Sequence, residues 1–166
     1  EPNDLNAALA LYRKAEAMDN EHALLLYRLA RCFDWLGQMD RAREYYLRAQ
    51  EADICPLRML DEVYRLQHAI AAAEKLPVVD ARKLLESLSP DGIPGNNLYL
   101  DQVHPTIAGH QKIAQAMAAK LLELRMLPGA NPWPADARRA AYRRHLEQLG
   151  AVYFTNGRRR VQWPVP

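Results

Sequence analysis

The stretch ALLLYRLARCFDWLGQMDRAREYYLRAQEAD, residues 23–53, decides the fold of the N-terminal part of the chain. Leu26, Leu29 and Phe33 recur at spacings of three and four residues, which predicts one apolar face of a helix. Gly37 follows at the place where a helix commonly ends. A second amphipathic run comes directly after it, so the stretch predicts two helices joined by a short turn.

The second of these runs has a copy earlier in the chain. AALALYRKAEAMD, residues 7–19, aligns with RAREYYLRAQEAD, residues 41–53, at an offset of 34 residues. The aligned pairs are Ala8 and Ala42, Tyr12 and Tyr46, Ala15 and Ala49, and Asp19 and Asp53. A period of 34 residues is typical of repeats built from two helices.

These residues resemble the tetratricopeptide repeat, over residues 7–53, as the second half of one repeat and the whole of the next. The pattern departs from the family at Pro56, where the usual proline is shifted, and at Leu26, where an aromatic residue is usual. The resemblance implies a surface that docks a protein partner. The alternative is that these helices are only a spacer or an insertion.

The middle of the chain predicts an α/β rhythm. A helical stripe in residues 57–76 precedes LPVVDA, residues 76–81, whose β-branched run predicts one buried strand. A short helix, a loop at residues 89–97 and a helix from about Pro105 to Leu124 follow. A lone strand needs neighbours for its backbone groups, so its exposed edge also predicts self-association.

The loop before that last helix has the residue types of an acid–base pair. In LYLDQVHPTIAGHQKIA, residues 98–114, Asp101 and His104 are three residues apart. A carboxylate placed there can accept from one ring nitrogen of the imidazole and leave the other as a general base. Pro105 suits the first position of a helix. Gly109 would cost the helix about 1 kcal/mol relative to Ala, and it would be tolerated if another backbone packs close there.

This block resembles the last conserved block of SGNH (GDSL-type) hydrolases, and the likeness covers about residues 56–126. The resemblance implies a flavodoxin-like α/β domain in which Asp101 orients His104 as the base of a Ser-His-Asp triad. The family's Gly-Asp-Ser nucleophile block is absent, and neither Ser87 nor Ser89 has a nucleophile-elbow context. Asn96 and Asn97 are weak substitutes for the family's oxyanion donors.

Three explanations of the missing nucleophile stay open. The chain is an excised C-terminal part of a hydrolase, one subunit of a split enzyme, or a binding protein that keeps a relic loop. The simpler alternative for Asp101 and His104 is local capping of the following helix. A metal site formed by Asp101, His104 and His110 has no common ligand spacing, so no metal and no cofactor are predicted.

The rest of the chain excludes several function classes. No apolar run approaches the ~20 residues of a membrane span, and EPNDLNAALA lacks the pattern of a signal peptide. The compartment stays open. Cys32 and Cys55 make no disulfide framework, and Cys32 is predicted in the core. Residues 133–166 hold seven Arg against two acids, which is too little to predict nucleic-acid binding.

The C-terminal part predicts a helix and a hairpin. The helix runs from about Pro134 to Leu149 and ends at Gly150. Asn156-Gly157 is a strong hairpin turn, with an extended tail as the alternative. Trp133 and Trp163 are predicted as packing anchors.

The sequence therefore predicts a mixed, mostly α chain. Tetratricopeptide-like helices occupy residues 1–55, the C-terminal portion of an SGNH-like α/β domain residues 56–128, and a helix with a hairpin or tail residues 129–166. The predicted function is to supply Asp101 and His104 to the hydrolysis of an acyl or acetyl ester, with the Ser outside this chain and the chain alone inactive. The alternative is a non-catalytic module that binds a protein partner through its tetratricopeptide helices.

Overall fold

The structure is a computed structural model, and it describes residues 2–127 and 131–161. Those residues form α-helices joined by turns and loops, with one short 3-10 helix at Pro90–Gly92. The α-helices are α1 Pro2–Glu16, α2 Ala23–Trp35, α3 Met39–Glu51, α4 Asp61–Ala73, α5 Ala81–Ser87, α6 Ile107–Glu123, α7 Ala135–Gln148 and α8 Gly150–Val161. The chain divides into two compact units, Glu1–Asn97 and Leu98–Pro166.

The core of the first unit lies between α2 and α3, with α1 packed against α2. Leu26, Leu29 and Phe33 are at most 1% exposed, and burial of each stabilises the fold by about 1.5–3 kcal/mol. Ala42 of α3 is fully buried, so the two helices approach closely at a small side chain. The predicted helix pair at residues 23–53 and the preceding half-repeat are confirmed.

Gly37 ends α2 as the sequence predicts. Its φ of 71° is left-handed, and it donates to the Asp34 carbonyl at 2.9 Å. The next amide, Gln38 N, donates to the Phe33 carbonyl at 2.8 Å. These two bonds satisfy carbonyls at the end of α2 and turn the chain directly into α3.

The remainder of the first unit is held mainly by polar contacts. No residue of α4 is buried, and its apolar side chains at Val63, Leu66 and Ile70 are about half exposed. Asp80 caps α5 by accepting from Lys83 N at 2.9 Å. Arg82 donates to Asp61 of α4 at 2.9 Å, which ties α5 to α4.

The predicted strand at residues 76–81 is wrong in the described part of the chain. Leu76–Asp80 is irregular, and Ala81 already begins α5. Among the described residues the β pairing is a single isolated bridge, Tyr99 with Pro105. A β-branched run by itself has no ladder partner, so its apolar character does not make it a strand. The described chain is therefore helical, without the predicted flavodoxin-like α/β portion.

In the second unit, α6 begins after a capped loop. Thr106 is the N-cap, and its hydroxyl accepts from Gly109 N at 3.1 Å. Pro105 lies before the cap, in the bridge with Tyr99, so its predicted place as the first helical residue is wrong. A Cβ added at Gly109 would lie 2.6 Å from the Leu98 carbonyl oxygen, so another part of the backbone does pack close to this glycine.

At the C-terminal end, α7 confirms the helix predicted before Gly150. The predicted hairpin is wrong over the described residues, because Asn156 and Gly157 lie inside α8. An isolated two-stranded hairpin has only marginal stability in water. Trp133 is 62% exposed and anchors no core, and Trp163 lies outside the described residues.

Candidate functional site

The loop of residues 98–106 is fixed by backbone bonds at both of its ends. Leu100 N donates to the His104 carbonyl at 2.8 Å, and Thr106 N donates to the Leu98 carbonyl at 2.8 Å. These bonds close the loop and carry Asp101 and His104 on it. The sequence predicted the pair in the loop before the last long helix, and the structure places both residues on this closed loop before α6.

The Asp101 carboxylate accepts three hydrogen bonds. Oδ1 accepts from Val103 N and His104 N, both at 2.8 Å, and Oδ2 lies 2.8 Å from Nδ1 of His104. The Val103 and His104 amides, together with the imidazole, lower the pKa of Asp101 to about 2. The carboxylate is therefore ionised at neutral pH and keeps an acceptor facing the ring.

This contact assigns the proton of the neutral imidazole to Nδ1, because a carboxylate oxygen only accepts. Nε2 is then the free acceptor. The His104 side chain is 71% exposed, so Nε2 is open to a reacting group. An oriented imidazole with a free Nε2 can accept a proton from a hydroxyl brought within hydrogen-bond distance.

The capping explanation for Asp101 does not fit the geometry. The side chain that caps α6 is Thr106, and the amides bound by Asp101 belong to the loop. Among the described side chains, no group of three or more His, Cys, Asp or Glu is placed to hold a metal ion. His110 lies exposed on α6.

The two serines of the chain are engaged in local bonds. Ser87 and Ser89 each donate to a backbone carbonyl of α5, to Leu84 and Leu85 respectively, at 2.8 Å. Asn97 donates its side-chain amide to Ser89 Oγ at 3.3 Å, so that amide already has an acceptor.

A second candidate site is an exposed stripe on α2, which the sequence analysis did not identify. Leu24, Tyr27, Arg31 and Trp35 are spaced by three or four residues and therefore share a face. Leu24 is 56% exposed and Trp35 58%, while the core face of the same helix is buried. The Arg31 guanidinium lies 4.3 Å from the centre of the Trp35 ring. We call these four residues the α2 stripe.

Ordered polar contacts support α2 and α3 near this stripe. The Tyr27 and Tyr46 ring centres are 5.8 Å apart, and the Tyr46 hydroxyl donates to Asp34 at 3.0 Å. Burial and the bond to Asp34 raise the pKa of Tyr46, so its hydroxyl stays a donor. The sequence did contain a signal for the α2 stripe: large apolar residues fall on two faces of α2, and the core needs only one of those faces.

An ionic cluster holds α1 to α3. Glu16 accepts from the Tyr45 hydroxyl at 2.8 Å, from Arg13 at 2.8 Å and from Arg48 at 2.9 Å. Desolvation alone would raise the pKa of Glu16, but these three donors lower it below its usual value. The cluster therefore fixes the half-repeat α1 on the complete repeat.

The two cysteines are free, as their spacing predicts. Cys32 is buried between α1 and α2, and burial raises the pKa of its thiol, so it is a core residue. Cys55 is exposed. None of the described helices has the length and hydropathy that crossing a membrane requires.

Comparison with known proteins adds one finding. The family model described as tetratricopeptide repeat matches residues 1–53. These are the residues of α1, α2 and α3, and the match agrees with the 34-residue offset. No curated protein and no solved structure matches the chain.

Proposed function

We propose that residues 1–53 are a protein-interaction module that binds its partner through the α2 stripe. The single observation that carries this proposal is the exposure of large apolar side chains on a helix whose other face is fully buried. Exposed apolar side chains grouped on one rigid face are typical of protein interfaces. The tetratricopeptide match to the same residues supports this assignment.

The chemistry of the stripe indicates the kind of partner. Leu24, Tyr27 and the Trp35 ring offer apolar and aromatic contact area, and the Arg31 guanidinium adds one positive charge beside the ring. Trp, Tyr and Arg are the residue types that contribute most to binding at interfaces. The expected ligand is an apolar peptide segment with an acidic residue next to its anchor.

The test compares two matched variants of the full chain. Leu24→Asp places a charge in the stripe, and Met18→Asp places the same charge at a residue that is 90% exposed after α1. A protein captured from the source cells is purified, and its Kd is measured with each chain. We expect Leu24→Asp to weaken binding about tenfold or more and Met18→Asp to leave it unchanged. Equal Kd values for the unsubstituted chain, Leu24→Asp and Met18→Asp would refute the proposal.

A second candidate function rests on the 2.8 Å contact between Asp101 Oδ2 and His104 Nδ1. We propose that this pair is the orienting carboxylate and general base of an ester hydrolase whose Ser is supplied by residues outside this chain. The free, exposed Nε2 supports the role of base. An acyl or acetyl ester is the proposed substrate.

The test of this second function uses the chain and the longest natural polypeptide that contains it. The chain alone is expected to hydrolyse a p-nitrophenyl ester no faster than buffer, because members of a triad act as a unit. The longer polypeptide is expected to hydrolyse it, and His104→Ala is expected to abolish that activity. Hydrolysis that persists at full rate with Ala at 104 would exclude the role.

A further inference from the structure

The imidazole ring of His68 lies between two hydrogen-bond acceptors where α4 meets α5. Its Nδ1 is 3.0 Å from the Tyr64 carbonyl oxygen, one turn earlier on α4, and its Nε2 is 3.1 Å from Oδ2 of Asp80. Asp80 lies directly before α5 and caps that helix by accepting from Lys83 N. The ring therefore connects α4 to the residue at which α5 begins.

Neither of these two acceptors has a hydrogen to donate to the ring. The Tyr64 carbonyl oxygen only accepts, and the Asp80 carboxylate is ionised at neutral pH. Burial acts to raise the pKa of Asp80, but the bonds from the Lys83 amide and the Tyr64 hydroxyl outweigh burial and hold the pKa below its usual value. Neutral imidazole has one N–H, so either tautomer leaves a lone pair facing an acceptor. The imidazolium form has two N–H groups and makes both bonds.

Asp80 is the anion that faces the His68 ring. Its Oδ2 also accepts from the Tyr64 hydroxyl at 2.5 Å, and the rings of Tyr64 and His68 pack with their centres 4.3 Å apart. Lys83 Nζ of α5 lies 4.0 Å from the same Oδ2, but the lysine side chain is 73% exposed. Solvent screens such an exposed charge, so a protonated His68 compensates Asp80 more directly than Lys83 does.

The arginines at this junction are balanced by other carboxylates. The Arg82 guanidinium lies 4.6 Å from the centre of the Tyr64 ring, and it donates to Asp61 of α4 at 2.9 Å and to Glu86 of α5 at 3.2 Å. Arg65 of α4 lies 3.1 Å from the second carboxylate oxygen of Asp61. Both positive charges are thus neutralised before they reach the imidazole ring.

We infer that His68 and Asp80 form a proton-dependent clasp between α4 and α5, which is closed when the imidazole is protonated and weakened when the ring loses its proton. Histidine changes its charge between about pH 5 and about pH 8. An interaction that requires a bound proton stabilises the fold at the acidic end of this range and is lost as the pH rises. The clasp is independent of the α2 stripe and of the pair Asp101 and His104.

The helix α4 depends on such contacts because none of its residues is buried. At its N-terminal end, Gln50 donates to the Met59 carbonyl at 2.8 Å, and Asp61 N donates to Glu51 at 2.8 Å. His68 lies two turns further along the helix, beyond both of these attachments. Opening of the clasp therefore loosens α4 and α5 locally and leaves the core between α2 and α3 intact.

Hydrogen exchange of the full chain at about pH 6 and about pH 8 tests the clasp. The rate of each amide is divided by its rate in an unstructured peptide at the same pH, which removes the intrinsic effect of pH. We expect the protection of α4 and α5 amides to fall about two- to fivefold between the two conditions, and the protection of α3 to stay constant. Protection in α4 and α5 that does not fall, or that falls equally in α3, would overturn the inference.

Three variants of the full chain identify the groups responsible. His68→Gln keeps a hydrogen-bond donor that does not titrate, and it is expected to abolish the fall in protection. Asp80→Asn keeps a good N-cap residue for α5 but removes the carboxylate, and it is expected to have the same effect. His110→Gln, at an exposed histidine of α6, is the matched control and is expected to preserve the fall. A fall that persists in full with Gln at 68 or Asn at 80, or that disappears with Gln at 110, would also overturn the inference.

Discussion

Gly109 is a residue that a helix disfavours, and a close packing contact explains why it is present in α6. The helix alone would gain about 1 kcal/mol from Ala at this position. Packing excludes Ala at position 109, because its Cβ would lie 2.6 Å from the Leu98 carbonyl oxygen. The glycine inside an amphipathic pattern raised the possibility of a close approach in the sequence, but only the structure shows the approach and identifies Leu98 as the neighbour.

Gly109→Ala is therefore expected to destabilise the chain by about 1–3 kcal/mol, because backbone must move to accept the methyl group. Urea denaturation of the full chain measures the change. Gly157→Ala is the matched control, since nothing lies within 4 Å of a Cβ added there in α8. It is expected to be neutral or stabilising by up to about 1 kcal/mol. A stabilising Gly109→Ala would contradict the packing argument.

The carboxyl group of Asp101 is expected to titrate at about pH 2, below its usual value of 3.8. A depressed pKa means that its contribution to stability is complete above the usual value and is lost as the pH falls toward 2. Carboxyl-detected NMR gives the midpoint directly. His104→Ala is expected to raise that midpoint only part of the way to 3.8, because the Val103 amide and the residue-104 amide still donate. A wild-type midpoint near 3.8 would show that the three bonds do not form in solution.

At the scale of elements, α5 depends on its cap more than on burial. It has seven residues, and Leu85 is its one buried residue. Asp80 accepts from Lys83 N, from the Tyr64 hydroxyl at 2.5 Å and from Nε2 of His68 at 3.1 Å. Burial and the bond to Asp80 raise the pKa of Tyr64 to about 12, so this hydroxyl remains a donor across the working range of pH.

Asp80→Ala is expected to cost about 1–2 kcal/mol through loss of the cap and to free the amides of α5 for hydrogen exchange. Desolvation acts to raise the pKa of Asp80, but the Lys83 amide, Tyr64 and His68 together outweigh it and hold the pKa below its usual value. The contribution of the ionised Asp80 carboxylate to the free energy of unfolding is thus present at neutral pH, and it is lost as the pH falls through the pKa of the folded state. Glu74→Ala, at the exposed end of α4, is the control and is expected to change exchange in α5 little. Unchanged exchange in both variants would contradict the capping role.

The elements also show where sequence reasoning worked and where it failed. The α2–α3 pair was predictable because the spacing of Leu26 and Phe33 gives α2 one apolar face, and Ala42 belongs to a second amphipathic run directly after the turn. The strand at residues 76–81 was not, because β pairing depends on a partner that a local run cannot specify. The hairpin predicted at Asn156-Gly157 is wrong for a related reason: a short, weak alternation of apolar and polar residues does not distinguish a hairpin from the helix α8.

At the scale of the whole molecule, the candidate sites differ in how much the sequence revealed. The contact between Asp101 and His104 was predictable from a spacing of three residues in a loop. The α2 stripe was missed because its residues alternate with core residues along the same helix, and only the packed α1–α2–α3 unit separates the two faces.

The most direct test of the central claim, that residues 1–53 form the interaction module, is hydrogen exchange of the full chain with and without its captured partner. We expect slower exchange in residues 23–35, which carry the α2 stripe, and unchanged exchange in residues 98–127. Leu24→Asp should remove the slowing at equal partner concentration. Slowing confined to residues 98–127, with residues 1–53 unchanged, would contradict the account and move the binding surface to the Asp101–His104 loop.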